Sequence, residues 1–586
     1  MSMNGKHAVT TSKAEPSFRE MFTPKLVTIL RDRYGLADLK ADAIAGFTVA
    51  IVALPLSMAI AIASGVTPDR GLYTAIVGGF IVSALGGSRF QIGGPAGAFI
   101  ILVTGTVERY GLDGLILATM LSGLMLLTIG FLRLGTFIKY IPYPVTVGFT
   151  SGIAIVIFAS QIKDLLGLTL AGREPGAIVP KLEALSSALP TVNAAAVTVA
   201  LISIGVIITV RRFRPHWPAF VIAIVVAALL SRLFGLPVET IGTRFGGIPQ
   251  SLPMPHLPAL SLDRIELVLP AALSFALLGS IESLLSAVVA DGMTGRRHRS
   301  NAELVAQGAA NIGSALFGGI CVTGTIARTA TNVRAGAHGP VAGILHSVFL
   351  LLFILLAAPL ASYVPLAALA AVLAMVCWNM AEKHEFALLL RTSRGDAVVL
   401  LLTFLLVLFR DLTEGILVGF GVGTLLFLHR MAQAVEVEDP RPLVQQDMAD
   451  DAGGDRDCYD PESATDPDIL VYRISGAFFF GAAAAVGAAL DRIGEHPKVY
   501  VIDFANVPIL DSTAAATIKA LAAKAHRQGA ALYLTGTRVP IRRVLFAHGV
   551  RPPQARFKAT VANALAAARN ETRSGATLKL DAGTFG

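Results

Sequence analysis

Glu282 stands in the middle of an apolar run, LPAALSFALLGSIESLLSAVVA, that extends from Leu269 to Ala290. As a helix, that run is long enough to cross the roughly 30 Å hydrocarbon core of a bilayer. A carboxylate at such a depth costs roughly 3 kcal/mol or more. A chain carries it only where the group faces a polar cavity or a partner, so Glu282 reads as a group on a substrate or ion path. The plainer alternative is a structural carboxylate bonded to a neighbouring helix. Ser283 lies beside it, and Ser286, four residues on, shares its face.

Two other stretches offer a different chemistry. SRFQIGGPAGAF (residues 88–99) and GGICVTGTIARTA (residues 318–330) each lead into an unusually short apolar segment. Short, Gly- or Pro-interrupted segments at matching positions of two halves point to a binding site at a repeat interface. A half-helix that starts inside the membrane presents unpaired N–H groups and a partial positive charge there. Two opposed termini make an anion site without a buried lysine. Gly94, Ala96, Gly97 and Ala98 are small enough for an anion to approach backbone, and Pro95 suits a first helical turn. Small residues also serve tight helix packing, and it is the pairing with the second stretch that favours a site. There, Thr325 and Thr329 flank Ile326, Ala327 and Arg328. The hydroxyls can donate hydrogen bonds, and the guanidinium suits bidentate contact with a carboxylate or sulfate oxygen. The alternative for Arg328 is an ion pair with Glu282.

Composition sets the frame for these residues. Of 586 residues, 54% are hydrophobic and only 15% charged, where a soluble chain carries nearer a quarter charged. The mean hydropathy is +0.66. This is a polytopic α-helical membrane protein, so the net charge of +8 reads as cytoplasmic loop charge, not as a nucleic-acid surface. Cys321, Cys377 and Cys458 are far apart and form neither a metal-ligand pattern nor a disulfide framework. The polar first twenty residues contain no signal-peptide core.

Residues 1 to about 20 read as disordered, and Met21 to Lys40 as a short amphipathic helix at the membrane surface. Apolar segments follow near 43–64, 71–86, 95–107, 115–131, 144–161, 193–210 and 217–234. A second set lies near 267–290, 302–318, 325–333, 340–359, 364–379, 396–409 and 413–429. Seven is odd, so two such sets have opposite topology: fourteen spans as two inverted seven-span repeats. Arg211, Arg212, Arg214, Arg296, Arg297 and Arg299 all fall on one side, which the positive-inside rule makes cytoplasmic, together with both termini. Residues 432–467 are acidic and rich in Pro, Gly and Asp, a mobile linker. From 468 to 562, ILVYRIS, KVYVIDFA and ALYLTG read as strands. AAAVGAALDRIG and STAAATIKALAAKAHRQG read as helices. The alternation predicts an α/β domain with a largely parallel sheet, with one more helix and a frayed tail beyond Phe557. The expected division is 1–41 cytoplasmic, 42–431 membrane, 432–467 linker, 468–562 soluble domain and 563–586 tail.

The stretches AGFTVAIVALPLSMAIAIASGV (45–66), GLYTAIVGGF (71–80), GGPAGAF (93–99), GSIESLLSAVVADGMTG (279–295) and GTIARTATNVRAGA (324–337) resemble the SulP family of anion transporters. Residues 468–562 resemble the STAS domain that follows the membrane domain in that family. The resemblance implies a core domain and a gate domain, a central anion site between the short third and tenth helices, elevator-like movement of core against gate, and a homodimer. Relatives often carry Ser where Ala327 stands, and some animal members carry Gln where Ala53 and Leu56 stand. A pocket relying on backbone is therefore expected. Glu282 occupies a position that is Asp in sodium-coupled bicarbonate members, while many bacterial members with Glu there are proton-coupled. Ser286 is the candidate for ion coordination if sodium is used. LDSTA (510–514) resembles the STAS turn that is phosphorylated on serine in some members, making Ser512 a candidate; capping of the next helix is the plainer reading.

The function expected is proton-coupled inward symport of a small oxyanion, sulfate or a C4-dicarboxylate, across the inner membrane. Sodium-coupled bicarbonate uptake is the alternative. An anion-sensing receptor signalling to a cytoplasmic partner through the STAS domain is a rival of another class, and a channel a third. No nucleotide-binding glycine loop and no hydrolase or redox motif occurs, so no enzyme, cofactor or metal is expected.

Overall fold

The computed structural model describes residues 17–136, 142–172, 174–214, 217–410, 412–433, 436–438, 468–479, 486 and 497–573. The expected disorder of the first residues, most of the acidic linker, the helix AAAVGAALDRIG apart from Val486, and the end of the tail lie outside them. The chain divides into two compact units, Met1–Gly423 and Thr424–Gly586.

The first unit opens with α1 (Phe18–Phe22) and α2 (Lys25–Arg31), then α3 (Leu36–Ala63), α4 (Pro68–Tyr73) and, after a π-helical turn over Thr74–Gly78, α5 (Gly79–Leu85). Strand β1 (Gly93–Gly94) and a 3-10 turn (Gly97–Phe99) lead into α6 (Ile100–Phe131), which is broken at Gly111, where φ is +69°. Next come α7 (Tyr143–Leu166), α8 (Ile178–Ala188), α9 (Ala194–Phe213), α10 (Ala219–Leu233) and α11 (Ile241–Phe245). The second half runs α12 (Leu262–Thr294), α13 (Ser300–Leu316), β2 (Thr323–Gly324), α14 (Ile326–Arg334), α15 (Val341–Ala361), α16 (Leu366–Met380), α17 (Lys383–Thr392), α18 (Arg394–Phe409) and α19 (Leu412–Gln433). Eight of the described helices are long and apolar enough to cross a bilayer. The fourteen apolar segments of the sequence each fall on a helix or half-helix, consistent with fourteen spans in two sets of seven.

The helices pack as two groups. α3, α5, α6, α12, α13, α14 and α15 form the core domain; α7, α9, α10, α16 and α18 form the gate, and α3 meets the gate mainly at α16. Small residues bring core backbones together. A Cβ at Gly123 of α6 would lie 2.7 Å from the Gly308 carbonyl oxygen, and one at Gly308 of α13 would lie 2.7 Å from that of Gly123. This is the close backbone approach that glycine permits between membrane helices.

The expected surface helix over 21–40 is not what forms. Two short helices form instead, and α3 begins at Leu36, earlier than the boundary near residue 42. The segment is held by the core: the Lys25 N–H donates to the Gly86 carbonyl (2.9 Å), Arg299 Nη1 to the Thr23 carbonyl (2.6 Å), and Ile29 is buried. Asp42, fully buried in α3, accepts from Tyr34 Oη (2.7 Å) and from the N–H groups of His338 and Gly339. Specific hydrogen bonds, invisible in a helical periodicity, override membrane adsorption here.

The second unit carries a five-stranded sheet in the order β3 (Glu436–Glu438), β4 (Ile469–Ser475), β5 (Val499–Asp503), β6 (Ala531–Thr535), β7 (Arg556–Lys558). β4 to β7 are parallel, and β3 joins antiparallel at the edge. Residues 436–438, expected in the mobile linker, thus pair with β4. All five residues of β5 are buried, as its continuous apolar run requires of a central parallel strand. Helices α20 (Ser512–Arg527), α21 (Val539–Ala547) and α22 (Val561–Arg573) complete the domain.

The Gly123–Gly308 crossing yields a test. Gly308→Val should destabilise the protein in detergent by about 1–3 kcal/mol through overpacking, read as a lowered thermal midpoint. Gly292→Ala, where a Cβ meets nothing within 4 Å, should leave the midpoint in place.

Candidate functional site

Strands β1 and β2 pair antiparallel, Gly93 with Gly324 and Gly94 with Thr323. Each strand runs directly into a half-helix. The antiparallel pairing therefore sends the two half-helices away in opposite directions and leaves their N-termini on either side of one short ribbon. Side chains of neighbouring helices hold the ribbon in place. Asn311 accepts from the Val322 N–H and donates to its carbonyl, both at 2.9 Å. Asn332 donates to the Phe90 carbonyl (2.9 Å), and the Thr325 N–H donates to that of Ile92 (2.9 Å).

At each terminus the backbone donors stand free. Ala96 is extended and caps the 3-10 turn; Thr325 is extended and caps α14. Among the described residues, nothing accepts from the N–H groups of Gly97, Ala98, Ile326 or Ala327. Such orphan donors, with the helix dipole behind them, attract an anion. Gly97 is half-buried, while Ile326 and Ala327 are exposed; Gly94, Ala96 and Ala98 are buried behind them. The gate closes over the first terminus, since a Cβ at Gly97 would lie 3.3 Å from Ile157 Cδ1 and 3.7 Å from Met380 Sδ.

The threonine hydroxyls are already engaged. Thr325 Oγ1 donates to the Ile92 carbonyl (3.1 Å), and Thr329 Oγ1 accepts from the Ile92 N–H (3.1 Å). Ser286 Oγ donates to Thr329 Oγ1 (3.0 Å) and is fully buried. Ser286 therefore ties α12 to α14. Ser283 accepts from Gln91 Nε2 (2.8 Å), so the polar side of α12 is a seam against the ribbon. Glu282 emerges half-buried beside that seam, and its Oε2 has no hydrogen-bond partner.

Arg328 is fully buried. Its Nη2 donates to Ser57 Oγ (3.1 Å) and to the Pro95 carbonyl (3.3 Å), while Nε and Nη1 have no partner. No ion pair joins it to Glu282 among the described residues. The alternative of an ion pair is therefore not seen among the described residues, and the guanidinium packs against β1 through Ser57, Gly94 and Pro95. The reason is steric and electrostatic together. Only glycine at 94 leaves room, since a Cβ there would lie 2.4 Å from Arg328 Nη1, and the Pro95 carbonyl offers a hydrogen bond that an apolar wall would not.

Ser57, Gln91, Asn311, Asn332 and His346 escaped the sequence reading. His346, fully buried in α15 with both ring nitrogens unpartnered, carried the same signal as Glu282, an ionisable residue inside an apolar run. The two asparagines gave no such signal, because only the fold shows that they clamp a two-residue ribbon. Asp291 accepts from the His298 N–H (3.0 Å) as a helix-end contact. No cluster of three or more His, Cys, Asp or Glu that could hold a metal occurs among the described residues. In the second unit, Asp511 caps α20 by accepting from the Ala514 N–H (2.9 Å), and Ser512 is exposed in the first turn.

Crossed half-helices within a core and a gate define the fold of a polytopic membrane transporter. The chain belongs to the sulfate permease family, whose profile matches residues 39–403; a STAS domain profile matches 460–564. It is an anion transporter of that family with a C-terminal STAS domain. It is 38% identical over 508 residues to the putative sulfate transporter YvdB of Bacillus subtilis, covering 86% of this chain and 92% of that one. It is 29% identical to the bicarbonate transporter BicA of Synechocystis, covering 85% and 88%. Its fold matches the murine Solute Carrier 26 family member A9 anion transporter in the inward-facing state, with a TM-score of 0.82 at 18% identity over 96% of both chains.

The packing of Arg328 on Gly94 gives a second test. Gly94→Ala should push the guanidinium away and lower anion affinity about tenfold, roughly 1.4 kcal/mol, by calorimetry on folded protein. Gly105→Ala, whose Cβ meets nothing within 4 Å, should change affinity less than about twofold.

Proposed function

We propose that the protein is a secondary active transporter that brings a small doubly charged oxyanion, sulfate or a C4-dicarboxylate, into the cell together with a proton. The observation that carries this reading is the pair of half-helix termini on either side of one ribbon, whose N–H groups at Gly97, Ala98, Ile326 and Ala327 meet no acceptor among the described residues. The anion binds to backbone at Gly94, Ala96, Gly97, Ala98, Ile326 and Ala327. Arg328 adds charge from behind, and Thr325 holds the second terminus in place. Glu282 takes up the proton: it is the one carboxylate at the site, and its Oε2 is left unpaired. An incoming dianion with a proton crosses as a smaller net charge, which reduces the cost of moving it through a low-dielectric path.

The gate residues over Gly97 and the division into two helix groups support an elevator-like movement in which the core carries the site past the gate. A homodimer in the inner membrane with both termini cytoplasmic completes the reading. The transport machinery is assigned to residues 42–431. The STAS domain, 468–562, is assigned regulation through a cytoplasmic partner, with Ser512 as the exposed position for a phosphate at a helix N-terminus.

Likeness to a bicarbonate transporter keeps sodium-coupled bicarbonate uptake as the second reading. In that reading Ser286, whose hydroxyl donates to Thr329 and keeps its oxygen lone pairs, is the candidate sodium ligand. A receptor would bind anion without flux.

In proteoliposomes, Glu282→Gln should abolish accumulation driven by a pH gradient while leaving anion counterflow. Wild-type-like pH-driven accumulation in that variant would sink the assignment of the proton to Glu282, and strict sodium dependence of the wild type would favour bicarbonate symport.

A further inference from the structure

Core and gate enclose a cavity of about 450 Å³ on the Thr104 side of the contact between Gly97 and Ile157. Its core wall is Ser64 and Gly65 at the end of α3, with Thr104 and Glu108 on α6; its gate wall is Ser160, Lys163 and Asp164 on α7. Thr104 is seven residues beyond Gly97, about 10 Å along a helix. Gly97, Ile101, Thr104 and Glu108 fall at spacings of four, three and four, on one helix face. The cavity thus lies away from the ribbon, on the side opposite the arginine-rich loops.

Its charges are mostly spent. Lys181 pairs with Glu174 at 2.9 Å, and Arg244 with Asp164 at 3.0 Å and Glu239 at 3.6 Å. Lys163 makes no ion pair or side-chain hydrogen bond among the described residues, and neither does Glu108 across the cleft. The Glu108 carboxylate instead lies against Gly176, where a Cβ would be 3.2 Å from its Oε2. Among the described residues, one uncommitted cation stands on the gate and one uncommitted carboxylate on the core.

We propose that this cavity is an outer collecting site for the transported oxyanion, held by the ammonium of Lys163 and opposed by Glu108. The paired bases Lys181 and Arg244 shape the mouth, and their partners cancel their charge. A dianion reaching the cleft from outside meets Lys163 first and lies one 10 Å step from the half-helix termini. The arrangement raises local anion concentration, a steering effect that salt weakens. Glu108 makes the site weak, so that it releases its ligand to the deeper one.

This inference rests on the transport reading, and the experiment separates the two. Full-length protein is reconstituted in oriented proteoliposomes, and flux of labelled sulfate and of labelled fumarate is measured from each face. A wild type that carries no anion would end the transport reading before any variant is made. With wild-type flux in hand, Lys163→Gln should raise the outer-face KM about three- to fivefold, with the maximal rate nearly unchanged. The inner-face KM should stay at the wild-type value. Glu108→Gln should lower the outer-face KM. Lys163→Arg should behave as wild type, and Lys163→Gln should flatten the dependence of outer KM on ionic strength. An unchanged outer-face KM in Lys163→Gln, or equal changes at both faces, would overturn the proposal.

Discussion

Four residues, Gly93 and Gly94 against Thr323 and Gly324, carry the constraint on which the rest of this protein depends. Backbone inside a bilayer must have its hydrogen bonds satisfied within the protein. A chain that breaks two helices at mid-depth leaves extended backbone there, and the two breaks satisfy each other by pairing. That pairing is antiparallel, so the helices that follow diverge from one ribbon. Glycine is required at the ribbon because neighbours press on it from both sides: Val82 lies over Gly93, Arg328 over Gly94 and Gln91 over Gly324. The proposed anion site is a consequence of mending a broken backbone.

The polar groups around the ribbon divide into those that build and those that remain. Asn311, Asn332, Thr325, Thr329, Ser283 and Ser286 each complete a hydrogen bond to the ribbon, its flanks or each other. An unpaired buried polar group costs about 1–3 kcal/mol, so their engagement stabilises one geometry. Glu282 Oε2 and two nitrogens of Arg328 stay without partners. A fold that satisfies its neighbours so thoroughly leaves these few groups for a ligand and a proton.

Much of this was legible in the sequence, and the reasons are physical. Apolar runs long enough for a bilayer identify spans, and interrupted segments at matching positions locate the two half-helices. The α/β alternation of the second unit follows from the continuous apolar strand at 499–503. Three features were not legible. The segment before α3 has amphipathic periodicity, yet hydrogen bonds from Lys25, Asp42 and Arg299 decide its place. The direction of Arg328 depends on space made by Gly94, far away in sequence. Ser286 shares a helical face with Glu282, and only the fold shows that its hydroxyl donates to Thr329 on another helix. Periodicity reports which face a residue occupies and is silent about what lies across from it.

The central claim is that the anion lies between the two half-helix termini. Its most direct measurement is the position of a heavy anion, selenate, by anomalous diffraction from crystals of the full-length protein. The account places the selenium within hydrogen-bonding reach of the backbone N–H groups at Gly97–Ala98 and at Ile326–Ala327, beside Glu282 and with Arg328 behind β1. Selenate found only away from the ribbon, with those four N–H groups still empty at saturating concentration, would contradict it.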